Sequence, residues 1–140
     1  MCKRGEMTQL HRFPLLAAGI FGATGVGLGA FGAHALRAAL TEFGTRDRWE
    51  TAVFHQLIHT VALLGAAACL RSASGSAACR LTWAVRCWCA GITLFSGSLY
   101  VMAVTPHAPL WFKIAVPPSG GSLFVVGWIC VVAAAFAKDE

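Results

Sequence analysis

Residues 13–36 read FPLLAAGIFGATGVGLGAFGAHAL, a stretch of 24 residues without Asp, Glu, Lys or Arg. A helix needs about 20 residues, at about 1.5 Å each, to cross the hydrocarbon layer of a bilayer. Three further stretches of 20 to 26 residues also lack these charges, at 51–70, 87–112 and 114–137. Each stretch is long enough for one transmembrane helix and too short for two. The sequence therefore predicts an all-α integral membrane protein with four transmembrane helices.

The overall composition agrees with this class. Of the 140 residues, 57% are apolar and 12% are charged, whereas about a quarter of the residues in soluble domains are charged. This composition excludes a disordered tail, a nucleic-acid-binding domain and an ordinary soluble enzyme. The net charge of +5 would suggest a nucleic-acid partner for a soluble chain. For a membrane protein we expect the lipid bilayer as partner and no nucleic acid.

Basic residues in short loops collect on the cytoplasmic side of a membrane, so they predict orientation. The N-terminal arm, the second connection and the C-terminal tail hold seven of them: Lys3, Arg4, Arg12, Arg71, Arg80, Arg86 and Lys138. The opposite side holds four: Arg37, Arg46, Arg48 and Lys113. We therefore expect both termini in the cytoplasm. A cleavable signal peptide ending near Ala33-His-Ala35 is the alternative. The apolar region of a signal peptide is about 7–15 residues long, whereas the uncharged stretch here has 24 residues, which favours a retained helix.

Proline, glycine and charged residues predict the helix limits within a single membrane domain at 1–140. We expect helix 1 at about 14–33, helix 2 at about 51–70, helix 3 at about 86–104 and helix 4 at about 119–137. Leu36, Leu40 and Phe43 recur at helical spacing, which predicts a short interfacial helix that ends at Gly44. Residues 47–50 resemble a capping box for helix 2, and Pro117-Pro118 is expected to open helix 4.

Helix 1 carries a stripe of glycines on one face: Gly22, Gly25, Gly29 and Gly32. At about 100° per residue they fall within a sector of roughly 80°. Gly25 and Gly29 form the small-x-x-x-small pattern with which membrane helices pack closely, within one chain or between two copies. Residues 27–32 also match the dinucleotide string G-x-G-x-x-G. That string needs a preceding strand, so helix packing is the better interpretation.

Polar side chains within the spans gather towards the outer side of the membrane. His34 ends helix 1, Gln56 and His59 lie in the first turns of helix 2, and Ser96 and Tyr100 lie near the outer end of helix 3. An intramembrane polar side chain must find a partner within the bundle. We therefore expect these five residues to surround a polar cavity.

The histidines and cysteines have catalytic interpretations that the sequence does not favour. His55 and His59 match part of the zinc-protease string H-E-x-x-H, but Gln56 cannot serve as its general base. A haem between His34 and a helix 2 histidine is geometrically possible, although histidines that only hydrogen-bond within the bundle explain the pattern more simply. The cysteines show no C-x-x-C spacing and are expected to stay reduced. We expect no enzyme activity, catalytic residue, metal or cofactor.

Four ordered motifs resemble the YgdD-like family of small bacterial inner-membrane proteins: Gly29-Ala-Phe-Gly-Ala-His34, Gln56-x-x-His59, Leu94-Phe-Ser-Gly-Ser-Leu-Tyr100, and Pro118-x-Gly120-Gly121 with Gly127-Trp128. This family, domain of unknown function 423, is similar to the eukaryotic transmembrane-protein-256 group. The resemblance implies a compact four-helix protein of the inner membrane and brings no activity or substrate. The chain departs from the pattern at His55, where an aromatic such as Tyr is expected, and in its long turn at 72–78.

Three function classes remain, and we rank them. The first is a non-enzymatic accessory or assembly/stability component of a membrane complex, with a membrane-protein partner or a second copy of the chain. The second is a small-solute or ion carrier that uses the outer polar cavity. The third is a haem- or metal-binding membrane protein. The spans contain no carboxylate, which disfavours a proton-coupled pump, and no inverted repeat is evident, which disfavours a carrier.

Overall fold

The computed structural model describes residues 4–105 and 107–137, and these contain helices and short connections but no strand. In chain order the elements are α1 (Arg4–Ala33), α2 (Arg37–Glu42), α3 (Arg46–Leu70), α4 (Gly75–Gly91), a π-helical segment (Ile92–Ser96), α5 (Gly97–Val104) and α6 (Leu110–Ala135). Lys3 and Lys138, which contribute to the predicted orientation, lie outside the described residues.

Four helices in the described part of the chain are long and apolar enough to cross a membrane: Arg12–Ala33, Arg46–Leu70, Gly75–Val104 and Leu110–Ala135. They confirm the predicted all-α membrane fold. The predicted short helix is α2, which connects the first two spans. It is followed by Gly44, whose φ of 62° lies in the left-handed region that glycine adopts without a steric penalty.

The second and third spans form the centre of the protein. The most extensive contacts join α1 to α3 and α4 to α6, and α3 also packs against α4, the π-helical segment and α5. The share of residues buried is 39% and 44% in the central spans, against 22% and 17% in the first and fourth. Most residues of the first and fourth spans therefore lie on the outside of the helix bundle.

All four predicted helices begin earlier in the structure than the sequence predicts, the first of them at Arg4 rather than near 14. The second begins at Arg46 rather than near 51. The predicted capping box at 47–50 is wrong because Asp47, its expected first residue, lies inside the helix instead of preceding it. The third begins at Gly75 rather than near 86. Alanines follow Gly75, and these strong helix formers continue the helix into the predicted turn.

The fourth span also begins earlier, at Leu110 rather than near 119, and ends at Ala135. Pro117 and Pro118 were expected to open this helix, and that expectation is wrong because both lie inside it. Proline removes a backbone hydrogen bond, but membrane helices tolerate it where neighbouring elements and local adjustment compensate for the lost bond. Pro117 is buried against such neighbours.

Candidate functional site

Gln56 lies at the centre of the polar contacts between spans, with only 3% of its surface exposed. Its Nε2 donates to the carbonyl oxygen of Phe21 at 2.8 Å and to Oγ1 of Thr24 at 2.9 Å. Its Oε1 accepts the hydroxyl of Tyr100 at 3.0 Å. Both N–H donors of the amide are thus used, together with its carbonyl oxygen. This one side chain joins α1, α3 and α5.

The glycine stripe allows α1 to approach α3 this closely. A β-carbon on Gly22 or Gly29 would lie 3.4 Å from Thr60 or Val53. On Gly25 it would lie 2.8 Å from Cδ2 of Leu57, and on Gly32 it would overlap the indole of Trp49. Because the backbones are close, side chains of α3 reach carbonyl oxygens of α1, as Gln56 does at Phe21 and Trp49 does at Leu28, at 3.0 Å. All four predicted glycines face α3.

His59 belongs to a second cluster, which joins α3 to α6. Its Nδ1 lies 2.8 Å from the carbonyl oxygen of His55, and its Nε2 lies 3.4 Å from Nε1 of Trp128. The carbonyl requires a donor and the indole N–H is a donor, so we assign the proton to Nδ1. The ring stacks on Phe124 with centroids 3.6 Å apart. Both ring nitrogens are therefore engaged within the protein.

His55 points along its own helix rather than towards a shared ligand. Its Nδ1 lies 2.9 Å from the carbonyl oxygen of Thr51, and its ring contacts Phe95 with centroids 4.8 Å apart. Within residues 4–105 and 107–137, no group of three or more His, Cys, Asp or Glu side chains is placed to hold a metal ion.

Two buried polar side chains in the described part of the chain, Ser96 and Trp88, have an N–H or O–H group without a hydrogen-bond partner. Ser96 lies within the third span. It is fully buried, and its Oγ has no hydrogen-bond partner within the described part of the chain. It ends the π-helical segment, which widens the helical turn and rotates the residues that follow. Thr93 is consequently exposed while Ser96 is buried, although regular helical spacing predicts one common face for them.

The π-helical segment lies against a glycine of α6. A β-carbon on Gly120 would overlap the backbone nitrogen of Phe95 and lie 2.8 Å from its α-carbon. The sequence gives a signal for this contact in hindsight, since Gly120 is in the middle of an apolar helix where alanine would favour helicity. π-Helical turns are frequent at functional sites.

His34 lies apart from the other predicted cavity residues. It is exposed just beyond the end of α1, in a shallow surface depression with Arg37, Thr41 and Glu42. Of the five predicted residues, the structure brings Gln56 and Tyr100 into direct contact and places His59 in the cluster with Trp128 and Phe124. A single cavity shared by all five stays a prediction.

Side chains near the connections bind the carbonyl ends of neighbouring helices. The buried Thr45 donates its hydroxyl to the carbonyl oxygen of Ala103 at 2.7 Å, and Arg48 donates to that of Met102 at 3.3 Å. At the opposite end of the helix bundle, Arg80 of α4 donates to the carbonyl oxygen of Ala133 in the last turn of α6, at 2.5 Å. The last carbonyls of a helix have no partner within it, so these contacts fix the ends of α5 and α6.

A groove that the sequence pattern did not predict lies where α1 ends and α3 begins. Its volume is about 380 Å³, and its lining includes Gly29 and Gly32 of α1 together with Arg46, Glu50 and Val53 of α3. The sequence feature that accompanies this groove is the pair of opposite charges at Arg46 and Glu50, four residues apart on α3, followed by the apolar Val53 on the same helical face.

Comparisons with known proteins place the chain in a family. The family described as "Protein of unknown function (DUF423)" matches residues 28–121. The chain belongs to this family. It is 37% identical over 127 residues to the UPF0382 inner membrane protein YgdD of Escherichia coli, and the matched residues make up 89% of each of the two chains. It is 39% identical over 110 residues to the UPF0382 membrane protein YwdK of Bacillus subtilis, which covers 79% of this chain and 85% of the relative.

A UPF0382 membrane protein of Staphylococcus aureus is similar to the same degree, with 38% identity over 111 residues. These findings confirm the resemblance to the YgdD-like family and the assignment as an integral membrane protein. No solved structure matches the chain. The names of the relatives state a membrane location and no biochemical activity.

Proposed function

We propose that the protein is a non-enzymatic component of a membrane complex, acting as an accessory or assembly/stability subunit. The observation that supports this most directly is that three polar side chains of the spans, Gln56, His59 and Tyr100, are bonded within the protein. Gln56 and Tyr100 bond to each other, and both ring nitrogens of His59 have partners. A carrier site or a cofactor site would require such groups to face a ligand.

The surfaces of α1 and α6 support the same proposal. The spans Arg12–Ala33 and Leu110–Ala135 bury a small share of their residues within the protein, and their outward faces carry large apolar side chains such as Ile20, Val26, Ile129 and Val132. A partner helix within the membrane, from another protein or from a second copy, would bind to such a face through van der Waals packing.

We further propose that the protein resides in a bacterial inner membrane with both termini in the cytoplasm. The name of the Escherichia coli relative supports the location. The excess of basic residues in the termini, in the connection between α3 and α4 and in the adjoining part of α4 supports the orientation.

Native purification tests the proposal. The full chain is extracted in a mild detergent, and the product is examined by absorbance spectroscopy, metal analysis and identification of co-purifying proteins. We expect a colourless, metal-free protein with a stoichiometric protein partner or a second copy of itself. A Soret band, or a bound metal that is lost in His59→Ala and kept in His107→Ala, would instead support the haem- or metal-binding class.

The carrier class has its own test in the same material. A solute that raises the midpoint of thermal unfolding of the wild type, and not of Gln56→Ala, would support the carrier class and contradict the proposal.

A further inference from the structure

The groove between α1 and α3 has one charged end and one apolar end. Arg46 and Glu50 line it at the beginning of α3, while Val53 and Leu57 line it further along the same helix. Gly29 and Gly32 of α1 contribute to the facing side. The groove therefore has the polarity of an amphipathic ligand.

Its length also fits a membrane lipid. From Arg46 to Leu57 the helix rises by about 16 Å, which is about half the thickness of the hydrocarbon layer. The groove thus extends from the membrane surface towards the bilayer centre, the depth that one leaflet occupies. A water-soluble ligand would not match the apolar part, and a purely apolar ligand would leave the charged end unused.

The charges at the surface end favour one type of headgroup. Nε of Arg46 bonds to Oε1 of Glu50 at 2.7 Å, and the two side chains are 55% and 59% exposed. This bond leaves the remaining guanidinium N–H donors for a phosphate, which arginine binds well. The carboxylate can accept hydrogen bonds from an ammonium group. A zwitterionic headgroup matches both charges, whereas a purely anionic headgroup would meet the like charge of Glu50.

We propose that this groove binds one phosphatidylethanolamine molecule, with its phosphate on Arg46, its ammonium group on Glu50 and an acyl chain along Val53 and Leu57. This inference is independent of the proposed role as a complex subunit. It rests on the groove and its ion pair alone.

Native mass spectrometry of the full chain tests this assignment. The detergent-solubilised protein is incubated with equal amounts of phosphatidylethanolamine and phosphatidylglycerol, and the bound lipids are counted. We expect one phosphatidylethanolamine per chain in preference to phosphatidylglycerol. Arg46→Gln should weaken this binding about tenfold, the usual effect of losing a charged hydrogen bond.

Two further variants make the experiment specific. Glu50→Gln should remove the preference for phosphatidylethanolamine while binding of phosphatidylglycerol persists. Arg37→Gln is the matched control, because Arg37 is an exposed arginine of the neighbouring α2 that lies outside the groove, and it should bind as the wild type does. These exposed residues contribute little to folding, so the variants are expected to fold.

Three results would overturn the inference. Phosphatidylglycerol would bind as well as or better than phosphatidylethanolamine, or no lipid would be retained by the wild type. Alternatively, Arg46→Gln and Arg37→Gln would change lipid binding to the same extent, which would indicate general attraction of lipids to the surface.

Discussion

The hydroxyl of Tyr100 donates to Oε1 of Gln56 across 3.0 Å and thereby joins the third span to the second. The opposite end of the same amide donates to α1 at Phe21 and Thr24. Three of the four spans therefore meet at one side chain. Within a membrane no water is available to replace these partners, so the bonds define the relative position of the three helices.

This arrangement predicts a measurable coupling between Tyr100 and Gln56. Tyr100→Phe should lower the free energy of unfolding by about 1 kcal/mol, and Gln56→Leu by about 2 kcal/mol because it removes more bonds. In a double-mutant cycle, measured by reversible unfolding in mixed micelles, the coupling should be about 0.6 kcal/mol, the average for such bonds in a membrane protein. Strictly additive effects would show that the bond contributes nothing to stability.

Two adjacent glycines of α6 should differ sharply. A β-carbon on Gly120 overlaps the backbone of Phe95, which cannot move without displacing the π-helical segment, whereas a β-carbon on Gly121 lies 3.7 Å from the Phe95 ring, at ordinary contact distance. We expect Gly120→Ala to lower the free energy of unfolding by about 1–3 kcal/mol, as overpacking does. Gly121→Ala is the control and should be neutral or slightly stabilising. Equal effects of the two variants in the same unfolding assay would contradict the described packing.

A second glycine pair tests the packing of α1 on α3. Gly32→Ala would displace the indole of Trp49 and break its bond to the carbonyl oxygen of Leu28, so we expect a loss of about 1–3 kcal/mol. Gly27 lies in the same helix, and a β-carbon there would have nothing within 4 Å, so Gly27→Ala should not destabilise the protein. Tryptophan fluorescence gives a second readout, since only Gly32→Ala should shift the emission.

The sequence predicted the features that depend on local composition. Charge-free length determines the number of spans, and the spacing of Gly25 and Gly29 predicts a face for close packing. The π-helical segment was not predictable, because it depends on the approach of Gly120, about 25 residues further along the chain, to the backbone of Phe95. The exposed position of His34 depends likewise on how the end of α1 turns into α2.

The prediction of where α6 begins was wrong for a different reason. Pro117-Pro118 has the local chemistry of a helix start, and only packing against other spans allows the helix to pass through it. The contacts of Gln56 were predictable in kind, as a polar group that needs a partner, while the identity of Tyr100 and Phe21 as partners required the tertiary structure.

Thr45 and Thr41 provide a matched test of the cap on α5. The buried Thr45 hydroxyl binds the carbonyl oxygen of Ala103, whereas the exposed Thr41 hydroxyl binds Arg37 within its own short helix. Thr45→Val leaves a buried carbonyl without its partner and should cost about 1–2 kcal/mol in the free energy of unfolding. Thr41→Val should change it by less than about 0.5 kcal/mol. A larger loss for Thr41→Val would show that α5 does not depend on this cap.

The predicted orientation can be tested with single cysteines in exposed connections. Starting from a chain with its native cysteines replaced, Thr41→Cys lies in α2 and Ser72→Cys lies between α3 and α4, and both positions are exposed. If basic residues determine orientation, a membrane-impermeant maleimide should label Thr41→Cys in spheroplasts and Ser72→Cys only after permeabilisation. His107→Cys, in the connection between α5 and α6, is the control and should behave as Thr41→Cys does. The reverse pattern would place both termini outside the cytoplasm, and labelling of Thr41→Cys and His107→Cys from opposite sides would contradict the four-span topology itself.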